Sequence, residues 1–430
     1  MEKVSAVIIS NRQKTYLHAS IWVAAALVGI TAVLYAKLIS WSQGLYLDVF
    51  ATHPYLISFS TPLLFLAAAG LVQKFAMEAK GSGIPQVLEA IDLAKEEGNG
   101  HTVWRHQLVS VRTAFIKIIS SSVGILGGAS IGREGPTVQL AASGFAWIGN
   151  QLRKIYPNAD FQSFLTAGAA AGVAAAFNTP LAGVTFAIEE VAEGAFGPYR
   201  QFVILGVVIA GITAQGLAGD YLYFGHPIIQ EQNLINLLAA AIPISILGGL
   251  LGGIFARILS SSSFLPLPKK WWIKALLCGV ICSAIGLIGN GNTAGSGYEV
   301  TRHSLEALGN ETPVLMFPVL KFLTTILSYL SGMAGGIFSP CLSIGAGIGF
   351  SFAAITHISS VKACALLGMV SFFSGVVQAP LTAVVIVMEM TDQHALILPF
   401  MAAAFLAQTI GKRFMPVPLY RFIANRSGTG

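Results

Sequence analysis

The sequence predicts an all-α, polytopic membrane protein made of two related halves. Three observations predict it: a scarcity of charge, a succession of apolar runs near membrane-crossing length, and an internal repeat. Of 430 residues, 54% are hydrophobic and 10% charged, against about 25% charged in ordinary soluble domains. Mean hydropathy is +0.72, the value of a chain whose solvent is lipid. The net charge of +6 is small for this length. Basic residues gather in short connections, as at Asn11 to Lys14 and Lys412–Arg413, where they bias orientation in the bilayer. This is no nucleic-acid footprint, and the lipid bilayer is the partner that composition implies.

Apolar runs recur at about residues 17–36, 56–73, 107–127, 163–190, 200–218, 233–257, 271–289, 313–331, 341–355, 361–390 and 395–411. The first lacks a small-residue cleavage site and reads as a retained span rather than a secretory signal. Residues 137–150 are too few to cross about 30 Å of hydrocarbon at 1.5 Å per residue. Other runs are long and interrupted by Gly or Pro. Short and broken helices survive in a bilayer only when buried in protein or lining a cavity, so these point to a transport pathway. The four cysteines, Cys278, Cys282, Cys341 and Cys364, sit in apolar segments and read as small hydrophobes. No metal set and no cofactor motif accompanies them.

The repeat has two parts. "AAGVAAAFNTPLAGVTFAIEEV" (170–191) matches "SFFSGVVQAPLTAVVIVMEM" (371–390), with Pro180 on Pro380 and Glu189 on Glu389. "ILGGASIGREGPTVQLAASG" matches "SGMAGGIFSPCLSIGAGIG". The halves divide as residues 1–225 and 226–430 of one integrated transmembrane domain, at the polar connection "GDYLYFGHPIIQEQN". The residues alone leave open whether the halves are parallel or inverted. Glu189 and Glu389, at matching places, read as structural acids at the repeat interface.

Three stretches share Gly-x-x-x-Pro before a helix-like segment: "GSGIP" (81–85), "GREGP" (132–136) and "GIFSP" (336–340). Proline suits the first helical position, so each is expected to start a helix at its proline. A helix start presents unpaired N–H groups and the positive end of its dipole, which suits an anion. Three converging starts would hold a dehydrated anion without a fixed cation, loosely enough for it to leave.

These stretches, with "FNTPLAGVTFAIEE", "VMEMTDQHALILP" and the late "PLY" (418–420), resemble the signatures of the CLC chloride channel and transporter family in family order from about residue 80 to 420. The resemblance implies a homodimer with one pore per subunit. Each subunit would hold two inverted repeats of many tilted and partly re-entrant helices. It implies that Glu134 is the external gating glutamate and Glu190 the internal proton-transfer glutamate. It further implies that Ser82 and Tyr420 hold the anion by their hydroxyls, and Ile337 and Phe338 by backbone N–H groups. Gly132, Arg133 and Gly135 belong to the same anion-binding bend, where the Arg133 side chain is expected to tie down local backbone or carboxylates. Lys117 matches a buried family lysine that tunes the local field. Serine in GSGIP resembles chloride-preferring members, and Ser82 with Tyr420 argues against the fluoride-selective branch. The chain stops ten residues after Tyr420. The expectation is a compact prokaryotic member in the bacterial inner membrane, without regulatory nucleotide-binding domains.

The function expected from this is secondary active exchange of chloride for protons. The alternative is a passive gated chloride channel on the same fold, and an acid at Glu190 favours coupling. A membrane-embedded enzyme using Glu134 as general base is disfavoured: no His-Glu-x-x-His set or nucleophile motif occurs, and the eight histidines are scattered.

Overall fold

The computed structural model describes residues 11–97, 107–155, 161–191, 200–219, 222–229, 234–260, 266–307, 315–358 and 360–427. The connection between the halves lies partly outside these. In the first half, α1 is Asn11–Thr52, α2 Pro54–Phe75, α3 Ile84–Glu97 and α4 Val111–Leu126. There follow α5, Glu134–Ile155, α6, Phe161–Phe177, α7, Pro180–Phe186, and α8, Arg200–Ala218. In the second half, α9 is Leu234–Ser260, α10 Trp271–Ile288, α11 Tyr298–Glu306 and α12 Phe317–Leu330. Then come α13, Phe338–Thr356, α14, Val361–Val377, α15, Pro380–Thr391, α16, Ile397–Phe414, and α17, Leu419–Ser427. Among the described residues, β pairing is confined to two isolated bridges. Seven helical segments among the described residues are long and apolar enough to cross a membrane, and the chain is a multi-pass integral membrane protein.

The first eight helices recur in order as α9–α16, and the packing repeats with them: α5 on α6 and α13 on α14, α1 on α8 and α9 on α16. Both central runs break alike. Asn178 and Gln378 take positive φ (59° and 64°), ending α6 and α14, and Pro180 and Pro380 open the next helix. The pairs come close because their faces are small: a Cβ on Gly349 of α13 would strike the Cys364 carbonyl of α14.

The halves are inverted, and reciprocal bonds fasten them. Glu189 accepts from the N–H groups of Leu381 (3.0 Å) and Thr382 (2.7 Å), capping α15. Glu389 accepts from Leu181 (3.1 Å) and Ala182 (2.8 Å), capping α7. Each acid therefore satisfies the orphan donors of the other half's helix, in keeping with the structural role expected of both.

Three expectations change. The run at 17–36 is only part of a 42-residue helix, because Leu38, Ile39, Trp41, Leu45, Tyr46, Val49 and Phe50 continue it between scattered polar residues. Residues 137–150 belong to the 22-residue α5, about 33 Å long, since the helix starts earlier at Glu134 and continues through Gln151, Leu152, Arg153 and Lys154 to Ile155. The Gly-x-x-x-Pro helices start before their prolines, at Ile84, Glu134 and Phe338. Proline is tolerated anywhere in the first turn, where its missing N–H has no partner to lose.

The capping exchange makes a stability prediction. Glu189→Gln and Glu389→Gln should each lower the thermal midpoint of the detergent-solubilised protein, each costing about 1–2 kcal/mol. Unfolding followed by intrinsic fluorescence checks this, and unchanged midpoints in both variants would refute the reciprocal caps as a fastening.

Candidate functional site: converging helix starts within the membrane

The glycine bends meet where the two halves touch. Gly132 and Gly336 exchange both backbone bonds, Gly132 N–H to Gly336 O at 2.7 Å and the return bond at 2.8 Å. The Gly81 N–H donates to Met333 O (2.9 Å) and Gly335 N–H to Gly81 O (3.0 Å). A Cβ on Gly336 would stand 3.1 Å from both Gly135 N and Gly132 O, and one on Gly135 would strike Ser82 Oγ. The starts of α3, α5 and α13 thus converge as the sequence predicts. The approach leaves no room for a side chain at Gly135 and only a tight fit for one at Gly336.

Two buried lysines brace the bends without entering them. Lys117 Nζ donates to Gly81 O (3.1 Å). Lys321 Nζ donates to Thr293 O (2.8 Å) and Gly295 O (2.7 Å). Setting Pro136 on Pro340 also sets Lys117 on Lys321, so the two are repeat partners. Gly295 opens a second "GSG", residues 295–297, before α11. Its N–H donates to Ala129 O (2.9 Å), as that of Gly81 does to Met333 O. Sequence reading missed this fourth start because no proline follows. The exact repetition of GSG was the available signal.

Ser82 and Tyr420 are fully buried and lie beside each other. Neither hydroxyl has a hydrogen-bond partner among the described residues. Buried hydroxyls without partners are costly, and an anion accepting from both would satisfy them. Tyr420 also lies within electrostatic reach of Cys341 in the first turn of α13 and of Glu190. Ile337 precedes α13 and Phe338 opens it, so their N–H groups have no intrahelical acceptor. The Phe338 ring is held by Phe373 (4.2 Å between centroids) and Phe177 (4.8 Å).

Glu134, the first residue of α5, is 1% exposed. Its Oε1 accepts from the Tyr223 hydroxyl at 2.7 Å, while Oε2 has no partner among the described residues. Arg133 turns to α1, donating from Nη1 to Ala36 O (3.3 Å), with its guanidinium over the Tyr223 ring at 5.4 Å. Gly132 and Gly135 contribute close backbone on either side.

Glu190 is 4% exposed, unlike a solvated helix-end acid. It sits in a wide π-type turn, Ala187–Val191, that continues α7 and separates its direction from that of Glu189. Its Oε1 has no partner among the described residues. Arg421, next to Tyr420, donates to the Glu190 and Val191 carbonyls (3.1 and 3.2 Å) and pairs with Asp92 at 2.8 Å. Sequence reading missed both Arg421 and Tyr223. The signal for Tyr223 is its place after Pro180, about as far along as Tyr420 after Pro380.

Fold and site define a helical membrane protein of two inverted repeats, whose broken helices meet around buried hydroxyls and carboxylates. Comparison with known proteins names the class: residues 63–412 match the family described as voltage gated chloride channel. The chain belongs to that family, the CLC proteins. It is 32% identical to the H(+)/Cl(-) exchange transporter ClcA of Salmonella arizonae, over 94% of this chain and 87% of the relative. It is also 32% identical to the ClcA of Salmonella schwarzengrund, over 97% and 90%. Its fold resembles the crystal structure of a slow cyanobacterial Cl-/H+ antiporter, with TM-score 0.77 and 26% identity, covering 95% of this chain and 98% of the other. A CLC-type fluoride/proton antiporter shares the fold at TM-score 0.77 and 22% identity, covering 96% and 99%.

Proposed function

We propose that this protein is a secondary active transporter exchanging chloride for protons. The observation that carries the reading is one buried arrangement. The unpartnered Ser82 and Tyr420 hydroxyls lie between Gly135, the residue after Glu134, and the buried carboxylate of Glu190. Relatives named for chloride–proton exchange support it.

On this reading, chloride is held at the centre by the two hydroxyls and by the N–H groups of Ile337 and Phe338. Neutral donors bind it firmly enough to strip water yet weakly enough to release it. Glu134 competes for the outer part of the path, because a carboxylate is held by the same helix-start donors as an anion. Protonation removes its charge and cedes the place to chloride. Protons cannot follow the anion path inward, since hydroxyl and backbone donors offer no titratable station there. Glu190, off that path and unpaired at Oε1, supplies the station, and Arg421 fixes its backbone. Every named residue comes from one chain, which supports one complete pore per subunit. We place the protein as a homodimer in the inner membrane of a bacterium.

One assay tests this. In liposomes loaded with chloride, efflux down its gradient should drive protons uphill, read as external pH against external chloride. Glu134→Gln should abolish the proton flux and its pH dependence while anions still move. Glu190→Gln should abolish proton flux while chloride transport persists. Chloride efflux with no proton movement in the parent protein would replace the exchanger with a passive channel. Loss of both fluxes in a well-folded Glu190→Gln would remove Glu190 as a separate station.

The central site has its own prediction. Ser82→Ala and Tyr420→Phe each remove one donor, worth about 0.5–1.5 kcal/mol. Chloride affinity by calorimetry should fall several-fold in each, with thermal midpoints near the parent's. Unchanged affinity in both variants would move the anion elsewhere.

A further inference from the structure

Tyr223 is the one residue among those described that hydrogen-bonds a carboxylate oxygen of Glu134. Its phenol is 1% exposed, donates to Glu134 Oε1 at 2.7 Å and lies 3.2 Å from Ser339 Oγ. The ring is clamped by Tyr298 (4.7 Å), Phe224 (5.0 Å) and Phe177 (5.8 Å), with the Arg133 guanidinium over its face. The segment that carries it is tied to the end of α15. Phe224 N–H donates to Met390 O (3.1 Å), Gln393 Nε2 to Pro227 O (3.1 Å), and His226 lies 3.3 Å from Asp392. On its outer side is a cavity of about 410 Å³, lined by Gln43, Arg133, Ser296, Tyr298, Glu299 and Tyr223 itself. Tyr223 therefore stands between this cavity and Glu134.

We propose that Tyr223 is the outer latch of the path, a positioning residue whose hydroxyl holds the Glu134 carboxylate in place against an incoming anion. This rests on the reading of Glu134 as the gate. The geometry supplies the mechanism. A hydrogen bond from a neutral donor favours the charged carboxylate over the protonated one. The latch thus sets both how strongly Glu134 competes with chloride and how readily a proton releases it. The nearby Ser339 hydroxyl gives the phenol a second partner when the carboxylate leaves. The ring clamp keeps the donor aimed while that exchange happens.

Tyr223→Phe removes the hydroxyl and keeps the ring. The other charged and titratable groups facing this pair stay in place: Arg133, Tyr35 of α1, Tyr298 and Glu299 of α11, and His226 with Asp392 on the outer side. The sign follows. Without the donor the carboxylate is less favoured, so protonation opens the path at a lower proton concentration. The pH at half-maximal chloride efflux should rise by about one unit. Apparent chloride affinity at neutral pH should tighten roughly tenfold. Replacing Tyr223 by 3-fluorotyrosine, a stronger donor of nearly the same shape, should move the midpoint down. The gain in chloride affinity should be non-additive with that of Glu134→Gln, since both relieve one competitor. A parental pH profile and affinity in Tyr223→Phe, or full additivity with Glu134→Gln, would overturn the latch alone. Normal pH-dependent exchange in Glu134→Gln would overturn the gate and the latch together.

Discussion

The double backbone bond between Gly132 and Gly336 is the constraint on which the rest of the site depends. A non-helical backbone in hydrocarbon has no water to satisfy it. Here each half supplies the partner for the other's bend, and the bonds from Gly81 to Met333 and Gly295 to Ala129 extend the same solution outward. With those groups satisfied, the N–H groups at the starts of α3, α5 and α13 remain free to face a common centre. Lys117 and Lys321 take up the remaining carbonyls from behind. Their amino groups are turned to backbone carbonyls.

The four acids at the heart of the molecule divide by how fully they are satisfied. Both oxygens of Glu189 and of Glu389 accept helix-start N–H bonds. Moving either would expose two donors of the opposite half. Glu134 and Glu190 each keep one buried oxygen without a partner among the described residues. A buried carboxylate left partly unsatisfied costs stability, and such costs are retained where a group must change partner or protonation state. Adjacent Glu189 and Glu190 show how local structure makes the division. The π-type turn puts consecutive acids in different surroundings, one at the repeat interface and one toward Arg421 and Tyr420.

Fold class, repeat and convergent bends were legible in the sequence because each rests on local pattern: apolar runs, Pro-Leu breaks and Gly-x-x-x-Pro. Helix bounds were less so. Beyond Ala36 and beyond Gly149 apolar residues continue but are interleaved with polar ones, as at Lys37, Ser40, Ser42 and Gln43 in α1 and Asn150, Gln151 and Arg153 in α5. No unbroken apolar run therefore carries the helix to Thr52 or to Ile155. The start at Tyr298 lacks proline, and Arg421 reaches backbone carbonyls more than two hundred residues away in sequence. Tyr223 sits in a polar connection that reads as a linker. Its partner Glu134 lies 89 residues earlier in the same half, a proximity that only the tertiary fold creates.

The repeat register itself separates scaffold from mechanism. Setting one half on the other pairs Lys117 with Lys321, Glu189 with Glu389, Ser82 with Ser296 and Tyr223, by position, with Tyr420. Shared residues of this kind build the frame and line it with hydroxyls toward both faces. Ser82 and Tyr420 come from different halves, so that pair of hydroxyls is assembled only when the halves have docked. The same register sets Glu134 on Phe338 and Glu190 on Met390. At these two places alone among the residues discussed, a carboxylate in the first half faces an apolar side chain in the second. A symmetric path would treat its two ends alike and could not distinguish loading from release. With Glu134 and Glu190 in the roles proposed for them, a carboxylate beside Tyr223 and another near Tyr420 give the two ends different proton chemistry on an otherwise two-fold frame. On the proposed reading, coupling arises where the repeat is broken, and the fold is held where the repeat is kept.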